Sequence, residues 1–358
     1  MENKKTLLVT GGSGFIGSNL VRYLMSDTEQ HIVNVDKMTY AASSSSLEDV
    51  AGDKRYKHVK ADICDSNVIR SVFDHFKPCA VVHLAAESHV DRSIDSPGQF
   101  IETNVVGTLN MLQESLHYIR NFKDTADFRF LHISTDEVYG SLSISDKSFT
   151  EKTAYDPHSP YSASKAASDH LVRAWHDTYN LPTLITNCSN NYGPYQFPEK
   201  LIPVVILKCL AGETIPIYGT GDNIRDWLYV EDHVKAIYTV LSKGELGQTY
   251  NIGGNNELTN VYLVNQICGI LDGMIPITQR KRAIKSYRDL ITFVDDRPGH
   301  DKRYSIDASK IANKLGWEPT ESSVTGFEKT IKWYVKNKRW WKDILSGDYT
   351  LKRQGHRQ

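Results

Sequence analysis

The sequence predicts an α/β protein built on a doubly wound parallel sheet, and three observations lead to this fold class. The first half of the chain alternates short apolar runs with longer segments of helical period. A glycine-rich turn, Gly11 to Gly17, follows the first apolar run and opens a helical segment. Asp36 closes the next apolar run, about twenty residues further on. Together these features are typical of a Rossmann-type nucleotide-binding fold.

Length and composition set the organisation of the chain. With 358 residues it is large for one core, so we expect two closely associated lobes. The predicted Rossmann domain covers residues 1–190, and later segments at about 226–258 and 304–316 return to it. Residues 191–358 mainly form a smaller, sequence-discontinuous substrate-binding lobe.

Charge and cysteine content exclude several classes of partner. A net charge of -1 gives no electrostatic reason to expect binding to nucleic acid or to an anionic membrane. The five cysteines lack the paired spacing of a zinc site or a redox dithiol, so no metal site is predicted. The apolar run Leu7-Leu8-Val9 is too short for a signal peptide or a membrane span, and a cytoplasmic location is expected.

The predicted elements follow the chain in order. Six apolar runs are candidate strands: Leu7–Thr10, Ile32–Asp36, Lys57–Lys60, Ala80–Ala85, Phe130–Thr135 and Thr183–Asn187. Between the fourth and fifth, the spacing of Val105, Leu109 and Leu112 predicts a long helix from Phe100 to Tyr118. After about Asn190 the pattern gives way to Pro- and Gly-rich loops, which often carry ligand contacts.

The glycine turn predicts the cofactor. Gly11, Gly14 and Gly17 allow a tight turn, a close approach of backbone amides to a pyrophosphate, and close packing of helix on strand. Asp36 can accept a hydrogen bond from a ribose 2′-hydroxyl and would repel a 2′-phosphate, which favours NAD over NADP. The alternative is that Asp36 only caps a turn. Asp62 and Ile63, after the third strand, are either adenine neighbours or turn residues.

The reactive side chains fall in two short segments. Thr135, Asp136 and Glu137 supply a hydroxyl and two carboxylates, and Tyr161 and Lys165 stand one helical turn apart. A tyrosine beside an ammonium is a suitable base for oxidising an alcohol, because the positive charge favours phenolate. The two carboxylates add a proton acceptor and a proton donor, so we expect a C–O bond to be broken as well. Taken alone, the acidic pair is also consistent with a solvated turn.

With these elements the chain resembles the extended short-chain dehydrogenase/reductase superfamily. Further motifs look like those of the dTDP-glucose 4,6-dehydratases: His83–Asp91, Ser134–Gly140, Asn190–Lys200, Arg225–Val230 and Arg297–His300. The resemblance runs from about Lys5 to Trp317. Thr135-Asp136-Glu137 discriminates best, since related epimerases usually carry small or hydroxyl residues there. UDP-glucuronate decarboxylases and GDP-mannose dehydratases tend to show Thr-Ser-Glu.

The resemblance implies a role for each reactive group in converting dTDP-glucose to dTDP-4-keto-6-deoxyglucose and water. Tyr161 takes the proton of the sugar 4-hydroxyl, Thr135 is hydrogen-bonded to the same oxygen, and Lys165 lowers the phenol pKa. Glu137 removes the C5 proton, and Asp136 protonates the departing 6-hydroxyl. NAD accepts the hydride from C4 and returns it to C6, so it is regenerated in each turnover.

The resemblance also implies the binding residues. Those for NAD lie on the glycine turn, after the first strands and on the Tyr161 helix, at Gly11, Gly14, Phe15, Ile16, Gly17, Asp36, Lys37, Thr39, Asp62, Ile63, Leu84, Ala85, Ala86, Ser88, Thr103, Tyr161, Lys165 and Asn191. Those for the nucleotide sugar lie mainly in the second lobe, at Ser88, Thr135, Asn190, Glu199, Lys200, Leu201, Pro216, Tyr218, Arg225, Asn260, Arg297 and His300. Arg225 suits a diphosphate, because a guanidinium offers a fork of donors.

Several alternatives stay open on sequence alone. Arg225 could instead pair with Asp226, and His300 could be a surface-loop histidine. The motifs at the reacting carbons do not choose between thymidine and uridine diphosphates, so a UDP-glucose 4,6-dehydratase is the nearest rival. A non-catalytic sensor of NAD or nucleotide sugar is a remote one, since it would be expected to lose Tyr161, Lys165 or the acidic pair. A homodimer is expected, through the helices at Phe100–Tyr118 and Tyr161–Tyr179.

Overall fold

The structure is a computed structural model, and it describes residues 5–122, 127–275, 284–296 and 300–346. Its centre is a seven-stranded sheet in the order β10-β6-β5-β4-β1-β2-β3, in which every neighbouring pair is parallel. The strands of this sheet are β1 (Thr6–Thr10), β2 (His31–Asp36), β3 (Tyr56–Lys60), β4 (Ala80–His83), β5 (Arg129–Thr135), β6 (Thr183–Cys188) and β10 (Thr249–Ile252). The predicted doubly wound parallel sheet is confirmed.

All six predicted strands lie in this sheet, with shifted ends. The largest difference is at β4, which was expected to reach Ala85 and ends at His83. The reason lies in Thr10: its carbonyl accepts from the Leu84 amide, but its side-chain hydroxyl takes the Ala85 amide at 3.2 Å. A backbone donor bound by a side chain cannot continue the ladder, so the chain turns away from the sheet there.

The helices enclose the sheet and build the second lobe. Their bounds are α1 (Phe15–Asp27), α2 (Ser66–Phe76), α3 (Val90–Asp95), α4 (Pro97–Phe100), α5 (Thr108–Asn121), α6 (Pro160–Tyr179), α7 (Leu201–Ala211), α8 (Val230–Lys243), α9 (Asn260–Met274), α10 (Ser309–Leu315), α11 (Ser323–Lys336) and α12 (Lys338–Leu345). In the described part of the chain, no helix is both long and apolar enough to cross a bilayer.

The helix predicted from Phe100 to Tyr118 is interrupted. A π-helical segment, Ile101–Gly107, separates α4 from α5. Gly107 approaches Ile63 so closely that a β-carbon would lie 2.5 Å from its Cδ1. The π-helical turns point Asn104 inward, where its amide nitrogen donates to Glu87 O at 3.0 Å and to Ser164 Oγ at 2.8 Å. Asn104 therefore links the loop after β4 to α6, and π-helical turns are frequent at functional sites.

Alternating side chains of the sheet fill two cores. Leu7 and Val9 pack with α1, α8 and α10, whereas Leu8 and Phe130 pack with α2, α5 and α6 on the opposite face. The late strand β10 pairs with β6, so its Ile252 joins the first of these cores.

The second lobe has its own apolar core around α7, α9 and α11. Its strands are β7 (Asn190–Tyr192), β8 (Ile215–Tyr218), β9 (Ile224–Tyr229), β11 (Glu257–Thr259) and β12 (Ile291–Val294). They form one sheet in the order β11-β9-β7 and a second of β12 and β8. Strand β9 contributes to both lobes. Leu228 packs in the core that contains Leu7 and Val9, while Trp227 and Tyr229 pack in the core of the second lobe.

Candidate active site

The acidic pair stands where β5 ends at the carboxyl edge of the sheet. Thr135 closes the strand, and a short 3₁₀ turn, Asp136–Tyr139, begins at once. The Thr135 hydroxyl accepts from the Glu137 amide at 3.3 Å and so caps this turn. The Thr135 carbonyl accepts from the Asn187 side chain on β6 at 3.0 Å. The turn is thus fixed from both sides, and it holds two carboxylates at adjacent positions.

Asp136 is the more enclosed of the two carboxyls. It is 1% exposed, and its Oδ2 has no hydrogen-bond partner among the described residues. Burial, and then the negative charge of Glu137, raise the pKa of Asp136 well above its ordinary value, although Arg225 acts in the opposite direction. The Asp136 carboxyl therefore favours its protonated form, as a proton donor requires.

Tyr161 enters the site from the start of α6. Ser159 caps this helix and forms a capping box with Ser162, so the first turn and its tyrosine are held in place. Burial, followed by the charge of Glu137, raises the pKa of Tyr161, and the Thr135 hydroxyl opposes the rise. In the protein alone the Tyr161 pKa is thus raised, whereas the sequence-based expectation was that Lys165 lowers it.

Lys165 follows one turn later on α6 and is buried. Its Nζ donates to the Ile133 carbonyl at 2.9 Å and lies 3.3 Å from His132 Nε2. Burial lowers the pKa of Lys165 to about 8. Its ammonium is therefore directed at β5, next to the strand end that carries Thr135.

The glycine turn forms a cradle for a phosphate. Gly11 has φ of 70°, and a β-carbon there would lie 2.7 Å from Ala85 N. A β-carbon at Gly17 would lie 2.2 Å from Gly11 O, so the turn and α1 require glycine for their close approach. Among the described residues, no side chain caps α1 at Gly14, so its first-turn amides are available to an anion, as in helix N-terminal anion sites.

Asp36 lies at the end of β2 beside this cradle. Its Oδ2 accepts from the Ser13 amide at 2.9 Å and its Oδ1 from the Met38 amide at 2.8 Å. Asp36 therefore does accept hydrogen bonds from turn amides, as the turn-capping interpretation expects. Each carboxylate oxygen has two lone pairs, however, and can accept a second donor. The arrangement is compatible with both functions of Asp36.

A cleft of about 610 Å³ continues from Asp36 along the ends of β2, β3 and β4. Its walls include four predicted cofactor residues, Lys37, Thr39, Asp62 and Thr103. Lys37 and Asp62 form an ion pair of 2.6 Å. The remaining predicted cofactor residues lie in the first turn of α1 (Phe15 and Ile16), after β3 (Ile63), after β4 (Leu84, Ala85, Ala86 and Ser88) and on β7 (Asn191).

The second lobe reaches the cleft through the start of α7. Glu199, whose side chain is 3% exposed, accepts from the Tyr40 hydroxyl at 3.4 Å and lies 3.5 Å from Arg92 Nε. Lys200 Nζ donates to Ser88 O at 3.3 Å. Two predicted substrate residues thus contact the first lobe, and the neighbouring Leu201 begins α7.

Arg225 lies on β9, and backbone carbonyls hold its guanidinium in place. Its Nη2 donates to Asp301 O at 2.9 Å, and its guanidinium carbon lies 4.2 Å from the centre of the Tyr304 ring. Asp226, the alternative partner, accepts from the backbone amides of Gly254 and Asn256. The guanidinium also influences Asp136, so it lies on the acidic side of the site.

The other predicted substrate residues are spread over the second lobe. Asn190 begins β7, and its Oδ1 is buried without a partner among the described residues. Asn260 begins α9, and Pro216 and Tyr218 belong to β8. His300 Nδ1 lies 2.6 Å from Asp296 Oδ1. Arg297 lies outside the described residues.

Sequence reasoning missed several neighbours of the site. Tyr304 was overlooked although its signal was available, because the motif ending at His300 continues directly to it. Arg92, whose guanidinium lies 3.5 Å from the Tyr40 ring centre, could not be linked to Glu199 without the fold. Asp169 stands four residues after Lys165, at the spacing that places two side chains on one helix face.

Comparison with known proteins identifies the family. The profile of the GDP-mannose 4,6 dehydratase family matches residues 8–330. A dTDP-glucose 4,6-dehydratase of Escherichia coli is 55% identical over 98% of this chain and 99% of its own length. One from Neisseria meningitidis serogroup B is 54% identical over 98% and 99%.

Solved structures agree with the sequence relatives. A dTDP-glucose 4,6-dehydratase from Streptomyces venezuelae, with NAD and TYD bound, superimposes with a TM-score of 0.85 at 42% identity, covering 95% of this chain and 99% of that one. The enzyme from Bacillus anthracis, in complex with NAD, gives 0.83 at 41% identity with the same coverage. The chain therefore belongs to the dTDP-glucose 4,6-dehydratases, within the wider family that the GDP-mannose 4,6 dehydratase profile describes.

Proposed function

We propose that this protein is an NAD-dependent dTDP-glucose 4,6-dehydratase, which converts dTDP-glucose to dTDP-4-keto-6-deoxyglucose and water. The observation that carries this proposal is the buried Asp136, whose raised pKa favours a neutral carboxyl, beside Glu137 and close to Tyr161. A neutral acid and a carboxylate at adjacent positions suit the removal of one proton and the delivery of another. An enzyme that only oxidised and reduced one carbon would have no use for that pair.

The residues of the first lobe fit NAD. The cradle at Gly11 and Gly17 leaves no room for a β-carbon, and the uncapped start of α1 offers amides to a pyrophosphate. Asp36 would hold a ribose hydroxyl with the acceptor capacity that its two amide contacts leave. Bound NAD supplies an acceptor, and later in the cycle a donor, of hydride.

Tyr161, Thr135 and Lys165 act on the sugar 4-hydroxyl. Tyr161 accepts the hydroxyl proton, and Thr135, hydrogen-bonded to the phenol, aligns it. Because burial disfavours phenolate, Tyr161 needs positive charge nearby. Lys165 provides that charge from the next turn of α6, where its Nζ is fixed on the Ile133 carbonyl.

Glu137 and Asp136 act on the next two carbons. Glu137, which is less buried than its neighbour, removes the C5 proton as a general base. Asp136 donates its proton to the departing 6-hydroxyl, so water leaves in place of a hydroxide ion. Asp136 suits this step because its raised pKa favours the neutral carboxyl before the sugar binds.

The second lobe holds the nucleotide diphosphate. Arg225 is fixed by the Asp301 carbonyl and the Tyr304 ring, so one edge of its planar fork is oriented in advance. Asn190 contributes a buried oxygen that has no partner among the described residues. Glu199 and Lys200 close the site against Tyr40 and Ser88 of the first lobe.

Parallel incubations test this function. The purified protein is mixed with dTDP-glucose or UDP-glucose, and the products are identified by mass, with Tyr161→Phe as the inactive control. We expect loss of one water from dTDP-glucose and little reaction with UDP-glucose. Equal dehydration of both would favour a nucleotide-sugar dehydratase of broader specificity. Binding without loss of water from either would favour the non-catalytic sensor.

We further propose that two copies associate through α5, α6 and the π-helical segment. Ile101 and Val106 of that segment are 48% and 46% exposed, which is unusual for large apolar side chains so close together. A hollow of about 580 Å³ lies between α5 and α6, where Trp175 and Tyr179 form part of its wall. Light scattering should give twice the chain mass, and Ile101→Asp/Val106→Asp should give a monomer. Ile144→Asp, at another exposed isoleucine, is the matched control.

A further inference from the structure

A buried polar cluster lies next to Lys165 and includes a carboxylate to which the reaction steps above assign no role. Asp169 follows Lys165 by one turn of α6 and is 0% exposed. Its Oδ1 lies 3.2 Å from His132 Nε2, and the same nitrogen lies 3.3 Å from Lys165 Nζ. Lys165, His132 and Asp169 therefore meet in the interior, between α6 and β5.

The surroundings of Asp169 favour its ionised form. Its Oδ2 accepts hydrogen bonds from Ser134 Oγ at 2.9 Å, Tyr155 OH at 2.8 Å and Asn187 Nδ2 at 3.2 Å. Burial alone would raise the pKa of Asp169, but the hydrogen bonds and the charges of its neighbours lower it below the ordinary value. A carboxylate that accepts several donors can stay charged in the interior.

Apart from Asp169, the described groups that contact or influence Lys165 carry no negative charge near pH 7. The groups that face it are His132 and the Ile133 carbonyl from β5, Cys188 from β6, and Asp169 from its own helix. Burial lowers the pKa of His132 to about 4 and raises the pKa of Cys188 to about 12, so both are neutral near pH 7. His83 of β4, whose ring lies 5.4 Å from that of His132, is also held neutral by burial.

We propose that Asp169 is a positioning residue for oxidation at C4: its buried carboxylate keeps Lys165 protonated and, with His132, directs the ammonium toward the end of β5. This inference rests on the proposed function, because it matters through the charge that Lys165 offers to Tyr161. A lysine enclosed by neutral groups would lose its proton near neutral pH. The anion four residues away opposes that loss without touching the substrate.

The protonation of Lys165 can be measured directly and without substrate. Lysines are labelled with ¹³C at Cε, and the Lys165 signal is identified by its absence in Lys165→Met. We expect the wild-type signal to titrate near pH 8. In Asp169→Asn the midpoint should fall by at least about one pH unit, a tenfold loss of proton affinity. An unchanged midpoint would overturn the proposal.

A matched variant controls for the loss of any buried carboxylate. Asp232 on α8 is 1% exposed and accepts hydrogen bonds from Thr320 and Glu321. Asp232→Asn should leave the Lys165 midpoint at its wild-type position, because no charge near the lysine changes. If Asp169→Asn does not fold, Asp169→Glu replaces it. That variant keeps the charge and should keep the wild-type midpoint, so a fall there would contradict the proposed electrostatic role.

Activity gives a second, independent readout. In single turnover, the rate of nicotinamide reduction should fall at least about fivefold at pH 8 in Asp169→Asn, and less at pH 6, because the protonated fraction of Lys165 falls by that factor. In a Lys165→Met background the same change should add little, since its effect passes through the lysine. Fully additive losses would show a general structural role instead. Failure of the wild type to dehydrate dTDP-glucose would refute the proposed function, while the NMR titration would still decide the role of Asp169.

Discussion

Asp136 follows the end of β5 and Asp169 contacts β5 from α6, and both are almost completely buried, yet their environments favour opposite protonation states. Asp136 has an Oδ2 without a partner among the described residues, and its pKa is raised. Asp169 collects three hydrogen bonds on one oxygen, and its pKa is lowered. Burial alone therefore does not decide the charge of a carboxyl. The groups around the carboxyl do, and for Asp169 the influence of His132 and Lys165 opposes burial more than the Ser134 hydroxyl does.

The local backbone explains why the two sites differ. Asp136 opens a 3₁₀ turn at the sheet edge, where the adjacent amide of Glu137 is already taken by the Thr135 hydroxyl. Asp169 lies inside α6 and faces the sheet, so donors from β5 and β6 can reach it. An aspartate at position 136 is thus suited to donate a proton, whereas an aspartate at position 169 is suited to remain a carboxylate.

The largest expected effect comes from the acidic pair. In Asp136→Asn/Glu137→Gln, overall dehydration should fall by at least about a hundredfold, because general acids and bases each contribute typically 10²–10⁴-fold. Reduction of bound NAD should still occur, since Tyr161 serves C4 oxidation. Single-turnover nicotinamide absorbance combined with product analysis measures the two steps separately.

Tyr161→Phe is the matched comparison for the acidic pair. It removes the hydroxyl that accepts the C4 proton, so both the nicotinamide signal and dehydration should be lost. If the double carboxamide variant formed no reduced nicotinamide while its fold and substrate affinity were intact, the division of labour between the pair and Tyr161 would be wrong.

The planar guanidinium of Arg225, which supplies positive charge on the Asp136 side of the site, can be tested separately from that charge. Arg225→Lys keeps that charge, but an ammonium cannot reproduce the planar fork held by Asp301 and Tyr304. Affinity for dTDP, measured by calorimetry, should fall roughly tenfold to a hundredfold, the equivalent of about 1.5–3 kcal/mol. Arg55→Lys is the control, because Arg55 also donates to two carbonyls, of Thr28 and Met25, in the first lobe. Equal affinity of the wild type and Arg225→Lys would assign Arg225 a structural role.

A third buried carboxylate, Asp36, extends the comparison to the cofactor. Its two oxygens accept amides from Ser13 and Met38, and we expect a ribose hydroxyl to be a further donor. Asp36→Ala should weaken NAD roughly tenfold, the lower end of a charge-assisted hydrogen bond, and NADP less, because a repulsion is removed as well. Fluorescence titration with both cofactors measures this. Equal losses would leave Asp36 as a turn cap.

The features of the fold and of the site that depend on local sequence patterns could be predicted from the sequence. The strands, the glycine turn and the positions of Asp136, Glu137, Tyr161 and Lys165 follow from periodicity and short motifs, and the fold agrees with them. The π-helical break at Ile101–Gly107 was not predicted, and it lies where Gly107 approaches Ile63, a contact between segments far apart in the sequence. The raised pKa of Tyr161 was missed for a related reason: desolvation depends on everything packed around the phenol.

The smallest expected effect concerns stability, and its sign separates Asp136 from Asp169. Asp136 has a raised pKa in the folded state, so its contribution is fully present below its ordinary value of 3.8 and is lost as pH rises through the folded pKa. At pH 7 the buried Asp136 carboxyl therefore destabilises the fold, and Asp136→Asn should increase the free energy of unfolding. Asp169 has a lowered pKa, so its contribution is present at pH 7 and is lost only as pH falls below 3.8. Asp169→Asn should therefore decrease the free energy of unfolding at pH 7. Urea denaturation at pH 5 and pH 7 measures both variants, and a change of the same sign in both would contradict the opposite protonation states.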